Sequence, residues 1–140
     1  MNREPGMDAI TTLARHSPET AHFWRSLAEG RFLVRHCTAC GEAHWYPRAI
    51  CPFCSSSDTQ WREGSGRGTI YSYSIMRRAK TPYAIAFVTL NEGPTLVTNI
   101  VDCDFDAIQI GQKVELAIRR REDGLPLHMF KPATRRPAVP

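Results

Sequence analysis

Four cysteines constrain this chain more than any other feature. They stand at Cys37, Cys40, Cys51 and Cys54, two Cys-x2-Cys pairs separated by ten residues, with a fifth, Cys103, alone. The count is odd, and Met1–Gly6 holds no apolar stretch for a secretion signal, which argues against a disulfide framework. A two-residue gap lets both sulfurs of a pair point at one ion, and Gly41 permits a tight turn after the first pair. Two pairs complete a tetrahedron of soft ligands at about 2.3 Å that leaves no position for water. The predicted ion is therefore a structural zinc, one per chain. Iron suits the same four-sulfur geometry, but nothing nearby suggests electron transfer. A zone as short as 37–62 cannot bury enough surface to hold itself together, so the metal must supply folding energy directly.

Around the cysteines the chain changes character twice. Residues 1–36 lean to helix. Ser17-Pro18-Glu19-Thr20 offers a capping serine and a proline at the first helical position, Phe23, Trp24 and Leu27 form one apolar stripe, and Gly30 is the expected stop. The first dozen residues show no pattern and read as an arm. Within 37–62, Trp45, Tyr46 and Trp61 read as a small core packed around the knuckles. Residues 63–132 turn to β: Tyr71, Tyr73 and Ile75 alternate with serines, Leu96, Thr98 and Ile100 alternate again, and Leu127 and Met129 suggest a last strand. Val114, Leu116 and Ile118 alternate with charged residues, placing these three inward and Glu115 outward. The apolar run Tyr83–Leu90 is also of strand length. Its stretch Tyr83 to Phe87 reads as barrel core, the other reading being a surface for a partner. Five strands without a long helix between them predict a small closed or nearly closed barrel. Residues 133–140, rich in Pro, Ala and Arg, read as a loose tail.

Composition narrows the function. At 140 residues, 42 % hydrophobic and 23 % charged, the chain is one ordinary domain or two very small ones, and not disordered. No apolar run exceeds the six residues Tyr83–Val88, whereas a spanning helix needs roughly 18–20. The expectation is a cytoplasmic protein that does not enter membranes. Eighteen basic against fourteen acidic residues give a net charge of only +4. Catalytic signals are weak. Asp102 and Asp104 would raise rather than lower the pKa of Cys103, which disfavours a thiolate nucleophile. Asp102, Asp104 and Asp106 imitate a calcium loop, but Ala107 and Lys113 stand where the glycine and glutamate belong, so this is a turn. The five histidines make no metal or triad pattern, and His36 and His44 read as packing residues beside the knuckles. No catalytic residue is predicted, and no catalysis by this chain alone. Basic residues gather at Arg77, Arg78 and Lys80 and again at Arg119–Arg121. Such clusters are solvated edges or contacts for a phosphate-bearing ligand.

The order of parts is itself a pattern. Phe23-Trp24 is followed by Cys37-Thr38-Ala39-Cys40-Gly41, Tyr46-Pro47-Arg48, Cys51-Pro52-Phe53-Cys54, Trp61, Gly66-x-Gly68 and Ile70–Ser74. Pro82-Tyr83, Ala86–Leu90, Glu92-Gly93-Pro94, Asn99–Val101 and Ile110-Gly111 come after them. Over about residues 20–132 this resembles the zinc-ribbon/OB-fold proteins of bacteria and archaea long catalogued as a domain of unknown function. It departs at Trp45-Tyr46-Pro47, where many members carry a double proline. The resemblance implies a mostly β chain: an N-terminal helical arm (1–36), a rubredoxin-like zinc ribbon (37–62) and a five-stranded OB-fold barrel (63–132). It also implies an acyl-CoA-associated accessory subunit of a thiolase-fold partner that performs acyl transfer, carbon–carbon bond formation or retro-aldol cleavage. Arg77, Arg78 and Lys80 are the candidate contacts for acyl-CoA. The competing reading is a single-stranded nucleic-acid binder that stacks bases on Tyr71, Tyr73 and Phe87. Charge speaks against it, since residues 1–62 hold seven basic and six acidic side chains. Specific nucleic-acid binding is therefore not expected.

Overall fold

The computed structural model describes residues 7–133. The start of the arm, and the expected tail from residue 134 on, lie outside them. Helix α1, Met7–His16, occupies a segment in which the sequence showed no pattern. Its apolar stripe is sparse: Ile10 alone is buried, with Met7, Ala9 and Leu13 packed partly against the core.

The Ser17-Pro18 start is used differently from expectation. Pro18–Thr20 forms one 3-10 turn, and the serine hydroxyl caps nothing. Its carbonyl instead accepts from the Thr20 N–H at 3.1 Å and the Thr20 hydroxyl at 2.9 Å. Helix α2, Ala21–Ala28, then buries Phe23, Trp24 and Leu27, each contributing roughly 1.5–3 kcal/mol. It ends where predicted. Gly30, at φ +85°, donates to Leu27 O, and Arg31 donates back to Ser26 O at 2.9 Å, the bond pair of a helix closed by a left-handed glycine.

Three short strands carry the cysteine zone: β1 (Leu33–Cys37), β2 (Ala43–His44) and β3 (Thr59–Glu63), in the order β2-β1-β3 and antiparallel throughout. Five strands follow: β4 (Arg67–Met76), β5 (Tyr83–Leu90), β6 (Thr95–Ile100), β7 (Lys113–Arg120) and β8 (Pro126–Pro132). They close as β4-β5-β6-β8-β7, antiparallel except for the β6–β8 contact at Ile100 and Phe130. β7 returns to β4 only through Arg67–Thr69, and β4 carries a bulge between Ile70 and Ser72. The chain is mostly strand, as predicted, with a closed five-stranded barrel behind the metal zone. Asp102–Asp106 is a turn as expected: the Asp104 carboxylate accepts from the Asp106 N–H at 2.9 Å at the start of a second 3-10 turn.

The barrel interior is built from small and medium side chains, among them Ala84, Ala86, Val88, Leu90 and Leu96. β4 approaches so closely at Gly68 that a Cβ there would lie 2.6 Å from Val88 Cγ1 and 2.7 Å from the Thr89 carbonyl. On β7 Val114 is buried, while Leu116 and Ile118 are only partly buried against the core, less than the alternation predicted. Ala117, of the opposite phase, is buried too, so both faces of β7 are covered at its middle.

One aromatic cluster ties the parts together. Phe23 of α2 meets Trp24, Phe32, Trp45 and His128 with ring centroids 5.1–5.8 Å apart. Trp45 therefore packs at the junction of arm, cysteine zone and barrel rather than in a core private to the knuckles. Trp61 lies against His22, with the Arg35 guanidinium 4.9 Å from its ring. Tyr46 is exposed, and its peptide bond to Trp45 is cis. Glu19 Oε2 accepts the Ala49 N–H at 2.6 Å, fixing the loop between the cysteine pairs to the arm.

Candidate metal centre and docking face

The four predicted cysteines converge. Their sulfurs all lie within 4.8 Å of one another, Cys37 and Cys54 at 3.6 Å and Cys40 and Cys51 at 3.8 Å. A tetrahedron of sulfurs about 2.3 Å from a central ion has edges of about 3.8 Å. The donor set thus fits a tetrahedral thiolate-bound ion, and all four positions are taken by protein. Each knuckle is a tight turn: Gly41 N–H donates to Cys37 O and Ser55 N–H to Cys51 O, both at 3.0 Å.

Electrostatics point the same way. Burial pushes the Cys51 thiol up, but the backbone N–H groups of Cys54 and Phe53 outweigh it and bring the thiol down to about 7. The Phe53 N–H lies 3.4 Å from its sulfur. At Cys40 the backbone near Glu42 pulls downward, yet burial and the neighbouring thiols together push it up to about 12. Four sulfurs this close cannot all ionise without a cation among them. His44 is no ligand: it is buried, and its Nε2 sits 3.4 Å from the Arg48 carbonyl. Burial lowers its pKa, which keeps the ring neutral. This is the packing role expected for it.

The second feature is an apolar row on the outside of the barrel. Strand β5 alternates Ala84, Ala86 and Val88 inward with Tyr83, Ile85 and Phe87 outward. The stretch read as barrel core is thus split, its large side chains facing solvent. Phe87 pairs with Val97 of β6, and Tyr83 with Met76 of β4. Both partners are exposed as well, as is Tyr71 at 69 %. The signal for this arrangement was present in Tyr-Ala-Ile-Ala-Phe-Val, where small residues alternate with large ones. Tyr83 also lines a largely apolar cavity of about 540 Å³ at the barrel end, with Pro82, Asn99, Phe105 and Met129. Cys103 sits in its wall, its thiol raised by burial and then by Asp104 and Asp102, which disfavours the thiolate.

Arg77, Arg78 and Lys80 share the exposed loop between β4 and β5, at the end of the row. Arg77 is paired with Asp106 at 2.8 Å. Arg78 and Lys80 have no acidic partner among the described residues. The second basic run is largely engaged: Arg119 with Asp102, Arg121 with Asp123, and Arg120 with the Gly124 carbonyl at 3.0 Å. Among the described residues no helix is long and apolar enough to cross a membrane.

Comparison with known proteins places these features. Residues 24–60 match the rubredoxin-like zinc ribbon domain of ChsH2, and residues 61–119 match the C-terminal OB-fold domain of ChsH2. A DUF35 domain-containing scaffold protein of Methanothermobacter thermautotrophicus is 36 % identical over 115 residues, covering 76 % of this chain and 86 % of the relative. A probable enoyl-CoA hydratase alpha subunit of Thermomonospora curvata is 33 % identical over 120 residues. That match covers 82 % of this chain, which spans only 38 % of the relative's length. Among solved structures, the Ltp2-ChsH2(DUF35) aldolase superposes with a TM-score of 0.73 at 33 % identity, covering 83 % of this chain and 95 % of the other. A DUF35 protein of Sulfolobus solfataricus shares the fold, with a TM-score of 0.64 at 16 % identity, covering 90 % and 95 %. The chain belongs to the DUF35 family, whose ChsH2-type members join a rubredoxin-like zinc ribbon to an OB-fold barrel.

Proposed function

We propose that this chain is an accessory subunit: a zinc-braced scaffold that docks a thiolase-fold enzyme acting on an acyl-CoA and supports its acyl transfer, carbon–carbon bond formation or retro-aldol cleavage. The observation that carries the reading is the apolar row on β4, β5 and β6. A closed barrel has no structural need to present Tyr71, Met76, Tyr83, Ile85, Phe87 and Val97 to water, and such contiguous apolar surface marks a protein contact. The names of the relatives support it, one a scaffold protein and one an aldolase complex. The four cysteine sulfurs together fill one tetrahedral donor set and leave no position on an ion for a substrate, and no activated nucleophile accompanies them among the described residues, which suits support rather than chemistry.

The acyl-CoA part rests on the cationic loop. Coenzyme A carries phosphates, and arginine gives them charge-assisted, bidentate hydrogen bonds. Arg78 and Lys80 are available for this, and Arg77 becomes available if Asp106 releases it.

Reconstitution tests the reading. The chain and the thiolase-fold proteins of its own organism are co-expressed, and co-elution, activity and acyl-CoA affinity are measured with and without the chain. Activity or acyl-CoA affinity that depends on the chain supports the proposal. Proteins that do not co-elute, with activity unchanged, overturn it. The same barrel face carries aromatic rings beside cations, so single-stranded nucleic acid is titrated in parallel. Submicromolar binding that weakens steeply with salt would replace the accessory reading by the nucleic-acid one.

A further inference from the structure

Beyond Ile70, one edge of β4 is left unpaired among the described residues. Leu90 donates its N–H to Pro94 O on the β6 side, and Asn91 donates to Arg67 O on the β4 side. Backbone groups alternate along a strand, so Tyr83, Ile85 and Phe87 face β4, where they stand opposite Met76, Ser74 and Ser72. Those three residues therefore direct their main-chain groups to β5. Tyr73 and Ile75, between them, direct theirs the other way. On that side β7 accompanies β4 no further than Thr69, and the last main-chain bonds join Ile70 to Gly111 and Gln112. Beyond Ile70 no main-chain group among the described residues bonds Tyr73 or Ile75.

Proteins normally protect such an edge with lysine, proline or charge. The segment Tyr71-Ser72-Tyr73-Ser74-Ile75-Met76 has none of these, and four of its six residues are exposed. It also shares Tyr71 and Met76 with the apolar row and runs directly into the cationic loop.

We propose that this edge accepts an extended segment of the enzyme partner, which adds to the barrel as a further strand beside β4. The inference rests on the accessory reading above and specifies how docking occurs. A polypeptide segment is the occupant whose chemistry fits, because the edge offers a ladder of N–H and C=O groups, and strand addition supplies affinity through such bonds. An enzyme that covers the row meets this edge at Tyr71 and Met76, which belong to both. Charge favours a different protein over a second copy. Arg78 and Lys80, in the loop that continues this strand, have no acidic partner among the described residues, so a partner with an acidic rim complements the edge, whereas a second copy brings the same cations.

Amide hydrogen exchange on the full chain, alone and in the reconstituted complex, tests this. In the free chain the Tyr73 and Ile75 amides exchange quickly. In the complex both should slow by at least about tenfold, as hydrogen-bonded amides do. Tyr73→Pro removes the outward donor together with the ring and should weaken the complex by at least about tenfold, as loss of an interface hydrogen bond does, whereas Tyr73→Ala, which removes the ring and keeps the N–H, should weaken it less. A complex in which both amides exchange as in the free chain overturns the inference and leaves the accessory role standing. Protection in the chain alone, with its mass doubled, assigns the edge to a second copy and also overturns it. Failure to form any complex overturns the accessory role itself, and this inference with it.

Discussion

Phe87 and Val97 stand opposite each other on β5 and β6 with their side chains outward, 49 % and 48 % exposed. Neither contributes to the barrel core, where Ala86 and Val88 take the inward positions of the same strand. Phe87→Asp and Val97→Asp should therefore disrupt partner binding while changing stability by no more than about 0.5–1 kcal/mol. Co-elution and thermal unfolding measured on the same variants check this. A large loss of stability would mean that the row is structural.

Removing the metal should be far more damaging. Cys37 and Cys51 are buried and Cys40 and Cys54 exposed, yet all four sulfurs lie close enough to hold one ion, so serine at any of them should lower zinc content and loosen the knuckles. Structural zinc in finger peptides contributes about 10–16 kcal/mol. Because Trp45 and Phe32 join the cysteine zone to the arm and barrel through Phe23, the damage should spread to the aromatic junction. Elemental analysis should find one zinc per chain, falling in Cys51→Ser together with the melting temperature. Iron alone, or no metal, would refute the assignment.

The parts of the fold that were legible in the sequence are those specified locally. Two Cys-x2-Cys pairs, a period-two alternation and glycine-bearing turns each act over a few residues, and the cysteine centre and the five barrel strands follow from them. Helix α1 escaped because a single buried side chain, Ile10, anchors it. The outward row escaped for a different reason: Tyr83–Val88 is apolar at every position, so polarity marks no inward face and only the alternation of side-chain size carries the signal. Tertiary packing decides it: Ala84, Ala86 and Val88 join the buried core while Tyr83, Ile85 and Phe87 face solvent. Trp45 packs against Tyr46 as the sequence suggests, but its further contacts, Phe23 and His128, lie far away in sequence and leave no local signal.

Phe130 is fully buried where β8 meets both β7 and β6. Phe130→Ala should cost about 3–5 kcal/mol. Leu116, opposite it on β7 but only partly buried, should cost less than the 2–5 kcal/mol typical of a fully buried leucine. Denaturant titration of both variants gives the comparison. Equal losses would mean that the two positions are equally enclosed.

His128 should make stability depend on pH. Its ring lies among Phe23, Trp24, Phe32 and Trp45, and its Nδ1 is buried without a partner. Burial alone lowers its pKa from 6.5 to about 4. The unfolded chain therefore binds a proton at higher pH than the folded one does. The resulting stabilisation is fully present above pH 6.5 and is lost as the pH falls from 6.5 toward 4, by on the order of 3 kcal/mol. His128→Phe keeps an aromatic ring at the junction and removes the titration, so its stability should fall less over that window than that of the unsubstituted chain. Protonation of the cysteines also destabilises the metal centre in acid, but it does so equally in both proteins, so the difference between the two curves isolates His128. Urea titrations at pH 7, 6, 5 and 4.5 supply those curves, and parallel curves would show that the His128 ring carries its proton in the folded state as readily as in water.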